Sequence, residues 1–130
     1  MEKFIPLSLA FLLLLISKTV FAVGDEYFQD VGTAYNLCAD KEIELYFDEC
    51  ISADSAALNI CSSQDAYGSV NKINIDIKTE GKKVTISPVG VWPEGNAYIF
   101  IQENICDING NKLNKNLRYT LNVRSTTYDK

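Results

Sequence analysis

Histidine is absent from this 130-residue chain, tryptophan and methionine occur once each, and proline occurs three times. The missing histidine removes the most versatile general base and a principal zinc ligand. None of the four cysteines forms a Cys-x-x-Cys pair, which leaves a zinc site without its usual donors. Neither a glycine-rich phosphate loop nor a Gly-x-Ser-x-Gly elbow occurs. Paired carboxylates can act as acid and base, but Asp48/Glu49 and Glu42/Glu44 are accounted for as solvent-facing strand positions. These absences predict a chain that is not an enzyme and holds no cofactor or metal.

Long apolar runs are equally scarce. One exists, Phe4 to Ile16, preceded by Met1-Glu2-Lys3 and followed by Ser17-Lys18 and the small-residue ending Val20-Phe21-Ala22. That order predicts a secretory signal over residues 1–22, cleaved after Ala22. The run is shorter than the about 20 residues a membrane helix needs, although an uncleaved anchor is the alternative. No cysteine stands at the cleavage point to carry a lipid, and no second apolar segment predicts membrane insertion of the mature chain. The expected location is secreted or periplasmic. Cleavage removes Lys3, Lys18 and Glu2 from the 12 basic and 17 acidic residues, leaving 10 against 16 in residues 23–130. A balance of −6 argues against nucleic acid or anionic lipid as partner, because both require concentrated positive charge. Residues 23–130 suit one domain.

What is present is alternation. Ile43, Leu45 and Phe47 face one way within Lys41 to Asp48, and Ile73, Ile75 and Ile77 do so within Lys72 to Lys78. Thr79-Glu80-Gly81-Lys82 then predicts a hairpin into Lys83 to Val91, with Val84 and Ile86 inward. Leu117, Tyr119, Leu121 and Val123 form the apolar side of a last strand. Tyr27 to about Val31 reads as a weak first strand. Ser55 to Cys61 reads as a strand through Leu58 and Ile60, although Ala56-Ala57 also permits a helical turn. About seven short strands in this length predict an all-β, Greek-key sandwich of antiparallel strands. Tyr98, following the Trp92-Pro93-Glu94-Gly95 corner, is expected to bury its ring and bond back to that corner.

The succession Trp92-Pro93-Glu94-Gly95-Asn96-Ala97-Tyr98, strand, Asp107-Ile108-Asn109-Gly110-Asn111, strand resembles the bacterial Ig-like domain of the surface-layer, SbsA type. Ile43 to Ser52 is similar to that family's first clear strand and its acidic turn. The likeness covers about 41–124, with nothing matching between Cys61 and Val70. It implies an Ig-like fold used as a spacer or accessory module, with Trp92 standing where a leucine is usual. Trp92 is read as a core plug, with an exposed platform as the alternative.

Cys38, Cys50, Cys61 and Cys106 all lie beyond the leader, and an even count in an exported domain predicts two disulfides. Lys41 to Phe47 as a strand separates its ends by roughly 20 Å, which excludes Cys38–Cys50, because bridged Cα atoms lie within about 7 Å. With Ser55 to Cys61 taken as a returning strand, the expected pairs are Cys38–Cys61 and Cys50–Cys106.

Asp107 to Asn111 spaces its oxygens as a calcium loop does, but its glycine comes too early and Arg118 stands where the bidentate glutamate belongs. The loop is therefore read as an Asx turn with a positive-φ Asn-Gly. Ala97 to Asn104 is apolar on both faces. With Tyr98 and Phe100 inward, Ile99 and Ile101 form either the shielded side of a central strand or an outer patch with Thr120 and Asn122 that docks a protein. The leading expectation is an exported, non-catalytic Ig-like module for protein binding or a structural role at the cell surface. A secreted inhibitor or effector acting through Ile105 to Asn116, and a strand-exchanging surface subunit with an open edge at Tyr27 to Val31, are the alternatives.

Overall fold

Alternation and one glycine build the first sheet. The computed structural model describes residues 11–14 and 28–124. In it β3 (Ile43–Phe47), β6 (Ile75–Glu80) and β7 (Lys83–Pro88) form three strands of a four-stranded sheet ordered β1-β3-β7-β6. Gly81, at φ +64°, turns β6 into β7, and Glu80 pairs with Lys83 across a two-residue loop. No neighbour lies within 4 Å of a Cβ at that position, so the backbone conformation alone calls for glycine. The fourth strand, β1 (Phe11–Leu14), lies within the predicted leader and pairs parallel to β3. The remainder of the leader and Tyr27 lie outside the described residues.

The second sheet has five strands ordered β2-β9-β8-β4-β5, with β2 Gln29–Leu37, β4 Ile60–Ser63, β5 Lys72–Ile73, β8 Gly95–Ile101 and β9 Leu117–Val123. Its first strand is longer than expected and runs parallel to β9, not antiparallel. The chain changes sheets at Asn74: Ile73 pairs with Ser62, whereas Ile75 pairs with Pro88. The result is the all-β sandwich, with Ile43, Leu45, Phe47, Val84 and Ile86 meeting Leu117, Tyr119, Leu121 and Val123 in one core. Ile73, Ile75 and Ile77 pack against its margin. Trp92, 1% exposed, plugs one end. Its backbone N–H donates to Ala39 O and its Nε1 to Lys41 O, both at 2.7 Å.

Two expectations are corrected by this arrangement. Most of the segment Ser55 to Cys61 is not a strand: α1 (Ala53–Asn59) occupies it, capped by Ser52, whose Oγ accepts the Ser55 N–H at 3.3 Å. Ala56 is buried under this short helix, which hands the chain directly to β4. The second correction concerns the faces of β8. Ala97, Ile99 and Ile101 belong to the core, each 0% exposed, and Tyr98 and Phe100 point outward. The half-buried Tyr98 is therefore not a corner tyrosine. Its register partner is Thr120, and that of Phe100 is Arg118, both on the outer side of β9.

Candidate functional site

The face expected to bind a partner does not exist as drawn. Ile99 and Ile101 are core residues, whereas Thr120 and Asn122 lie half-buried on the opposite, outward side. What occupies the outer face instead is an aromatic cluster under a loop. Phe100 is only 1% exposed because the Phe28 ring packs on it at 4.7 Å between centroids, tilted by 56°. Tyr98 lies 6.3 Å away along the strand. Gly68 closes the other side: a Cβ there would come within 3.3 Å of the Phe100 ring, and its φ of +74° is one that side chains resist.

Arg118 binds the cluster together. Its Nε and Nη2 donate to the two carboxylate oxygens of Asp30 at 2.6 and 3.0 Å, and its Nη1 donates to Ala66 O at 2.7 Å. The guanidinium carbon also lies 5.9 Å from the centre of the Tyr98 ring. One planar fork thus joins β2, β9 and the loop, a task to which a lysine ammonium is unsuited. The bidentate hydrogen bonds hold the Asp30 carboxyl below its ordinary range.

The loop, Gln64 to Asn71, is closed at its base by the Gln64 N–H donating to Asn71 O at 3.0 Å. Inside it, Asp65 Oδ2 accepts from the Ser69 backbone N–H at 2.8 Å and from its hydroxyl at 3.0 Å, which lowers the Asp65 pKa. Ser63 Oγ accepts the Asp65 N–H and donates to its carbonyl, both at 2.9 Å. This bracing displays Tyr67 at 71% and Val70 at 54% exposure. A tyrosine displayed among Ser, Gly and Asn offers a large contact area at little side-chain entropy cost. The spacing of Asp65 and Ser69 around Tyr67-Gly68 was the available sequence signal, in the stretch between Cys61 and Val70 where the resemblance finds no counterpart.

The other sequence-derived sites are placed as follows. Asp107 is 2% exposed, and its Oδ1 accepts the Asn109 and Asn111 backbone N–H groups at 2.9 and 2.8 Å. Its Oδ2 accepts Asn111 Nδ2 at 3.0 Å, so the carboxylate serves the turn. Among the described residues no group of three or more acidic or cysteine side chains is placed to hold a metal ion. The segment Ile105 to Asn116 folds back on itself through a Cys106–Lys112 bridge, with Ile105 and Leu113 buried and Ile108 exposed. Between its tip and the start of α1 lies a depression of about 450 Å³ lined by Ser52, Ala53, Asp54, Cys106, Asp107, Ile108 and Gly110.

All four cysteines are free thiols in the structure. Cys50 and Cys106 flank the bridge Ile51–Asp107, where the Ser52 N–H donates to Cys106 O at 3.2 Å and that of Ile108 to Cys50 O at 2.9 Å. The expected Cys38–Cys61 pair is separated. Cys61 lies opposite Phe100 and so level with Arg118, whereas Cys38 lies beyond Leu37 and Val123, five residues further along β9 and three strands across. At about 3.3 Å per residue and 4.8 Å per strand, that exceeds the about 7 Å reach of a disulfide. The helix is the reason: α1 keeps Cys61 at the end where Cys50 and Cys106 lie, and the expected descending strand would have carried it to Cys38.

The fold and strand order define an Ig-like sandwich. The sequence matches the family described as bacterial Ig-like domain over residues 31–127, and the chain belongs to it. Among solved structures, domains 1–6 of the surface-layer protein SbsC are similar, with TM-score 0.50 and 14% identity, over 69% of this chain and 13% of that one. The N-terminal part of the bacterial S-layer protein SbsC is similar with TM-score 0.50 and 12% identity, over 69% of this chain and 22% of that one. The chain thus spans a small fraction of these longer proteins. The comparison with curated proteins gave no match.

Proposed function

We propose that this chain is an exported, non-catalytic Ig-like module that binds a protein partner at the cell surface or in the periplasm through the loop Gln64 to Asn71. The observation that carries the reading is the bracing of that loop by Arg118, Asp65 and Ser63, which holds Tyr67 exposed above a packed aromatic base. Family membership supports a structural or cell-surface setting. The leader-like N-terminus supports export, and the absence of histidine and of any catalytic motif supports a non-catalytic role.

A photo-crosslinking residue placed at Tyr67 in the exporting cell is expected to capture a defined protein, while the same residue at Val89, exposed in a separate turn, captures none. Equal capture at both positions, or none at Tyr67, would overturn the reading. In the same compartment Cys50 and Cys106 are expected to join, and the 57-residue loop they close corresponds to about 4 kcal/mol of chain-entropy stabilisation. Peptide mapping of the exported protein checks this, and a Cys38–Cys61 peptide would contradict the strand register.

A further inference from the structure

The edge of β3 is covered by a segment that export would remove. Phe11–Leu14 pairs parallel to β3 with Phe11 opposite Glu44, Leu12 opposite Leu45, Leu13 opposite Tyr46 and Leu14 opposite Phe47. Cleavage after Ala22 takes all four away. We propose that the exported chain uses this vacated edge as an acceptor for an extended apolar segment of a partner protein, paired parallel to β3 in the register that Phe11–Leu14 takes. The proposal rests on the export reading above and is independent of the Tyr67 loop.

The chain's own new N-terminus is too short to refill the edge. Phe28 is held against Phe100 on the outer face of the other sheet, which leaves the five residues 23–27 between the new N-terminus and that anchor. Strand β2 starts at the end of the sandwich where β3 finishes, since Gln29 pairs with Leu117 and Leu117 with Ile101 at the end of β8, while Ile51, just past β3, bridges to Asp107, just past β8. A segment running beside β3 must therefore cross the roughly 10 Å between sheets before joining β2, which takes about three residues. Two remain, too few to replace the four of β1. A second copy's arm is a poor donor as well, because in the same register it places Asp25 opposite Leu45 or Glu26 opposite Phe47, where an apolar residue is required.

The remaining edges each carry a device against pairing. Strand β5 is two residues long, β2 is broken by two register shifts, and β6 displays Asp76, Lys78 and Glu80. Strand β3 has neither a break nor a lysine, and its Ile43, Leu45 and Phe47 are anchored in the core between the sheets. An unbroken five-residue edge without a lysine is a template for β-augmentation, with alternate pockets selecting the donor's side chains. The donor this register selects is apolar opposite Leu45 and Phe47 and free of acidic residues opposite Glu44.

The test uses protein purified after export, with its N-terminus determined, and a synthetic peptide of residues 8–18 carrying a solubilising lysine tail. Amide hydrogen exchange over Ile43–Phe47 is expected to slow at least tenfold on peptide addition, with β6 unchanged. The Leu12→Asp/Leu14→Asp peptide is expected to leave exchange unaltered. An exported chain that folds only when the peptide is present supports the proposal equally. Retention of Phe11–Leu14 after export overturns it, as do a chain that stays unfolded with peptide, protection absent from β3, and protection by a scrambled peptide. Tyr67→Ala leaves the peptide effect intact, so failure of the loop reading and failure of this one are separately visible.

Discussion

The two faces of β8 bury their side chains by different means. Inward, Ala97, Ile99 and Ile101 meet aliphatic neighbours from both sheets and need only shape and hydrophobicity. Outward, Phe100 is equally buried, but by one aromatic ring, one glycine and a loop that hydrogen bonds hold in place. The inner face is a shared core whose loss unfolds the domain. The outer face is a small cluster whose loss releases a loop.

Substitutions separate the two. The largest effect is expected for Ile101→Lys, which places a charge in the core and abolishes cooperative unfolding in a thermal melt; Ile99→Ala should cost about 3 kcal/mol by chemical denaturation. A melting temperature unchanged in Ile101→Lys would restore the reading of Ile101 as a surface residue. Phe100→Ala is expected to cost about 2 kcal/mol, below the usual range for a core aromatic because the loop can settle into the gap. Its distinguishing mark is faster amide exchange confined to Gln64 to Asn71, where Ile99→Ala accelerates exchange across both sheets.

Arg118→Met should cost about 1 kcal/mol, since the Asp30 side chain is 62% exposed and water replaces much of the interaction. Its sharper signature is in pH. Both Asp30 and Asp65 titrate below their ordinary value when folded. A depressed folded pKa contributes stability that is fully present above the unfolded value of about 3.9 and is lost as pH falls through the lower folded value. The loop should therefore loosen below about pH 4. In Arg118→Met the Asp30 midpoint, followed by carboxyl NMR, returns upward toward the ordinary value, and that of Asp65 stays depressed because Ser69 still donates to it.

Much of the fold was legible because polar and apolar residues alternate cleanly in β3, β7 and β9, and because Gly81 has one conformational use. Strand β8 was not legible in the same way. Ala97-Tyr98-Ile99-Phe100-Ile101 is apolar at every position, so its period cannot say which set faces the core. Pairing decides it: Arg118, Thr120 and Asn122 mark the outer side of β9, and directly opposed residues share a face, which sends Tyr98 and Phe100 outward with them. The same ambiguity moved the candidate site from Ile99 and Ile101 to the loop above Phe100.

By itself, then, the sequence determined the sandwich class, the turn at Gly81, the plug at Trp92 and the turn role of Asp107, each of which follows from local periodicity or local hydrogen bonding. Tertiary structure alone decided which face of β8 is core, that α1 keeps Cys61 away from Cys38, and that Arg118 ties Asp30 to Ala66 across 88 and 52 residues of chain. Those outcomes depend on register and on contacts between distant segments, and a pattern of neighbours along the chain carries no record of either.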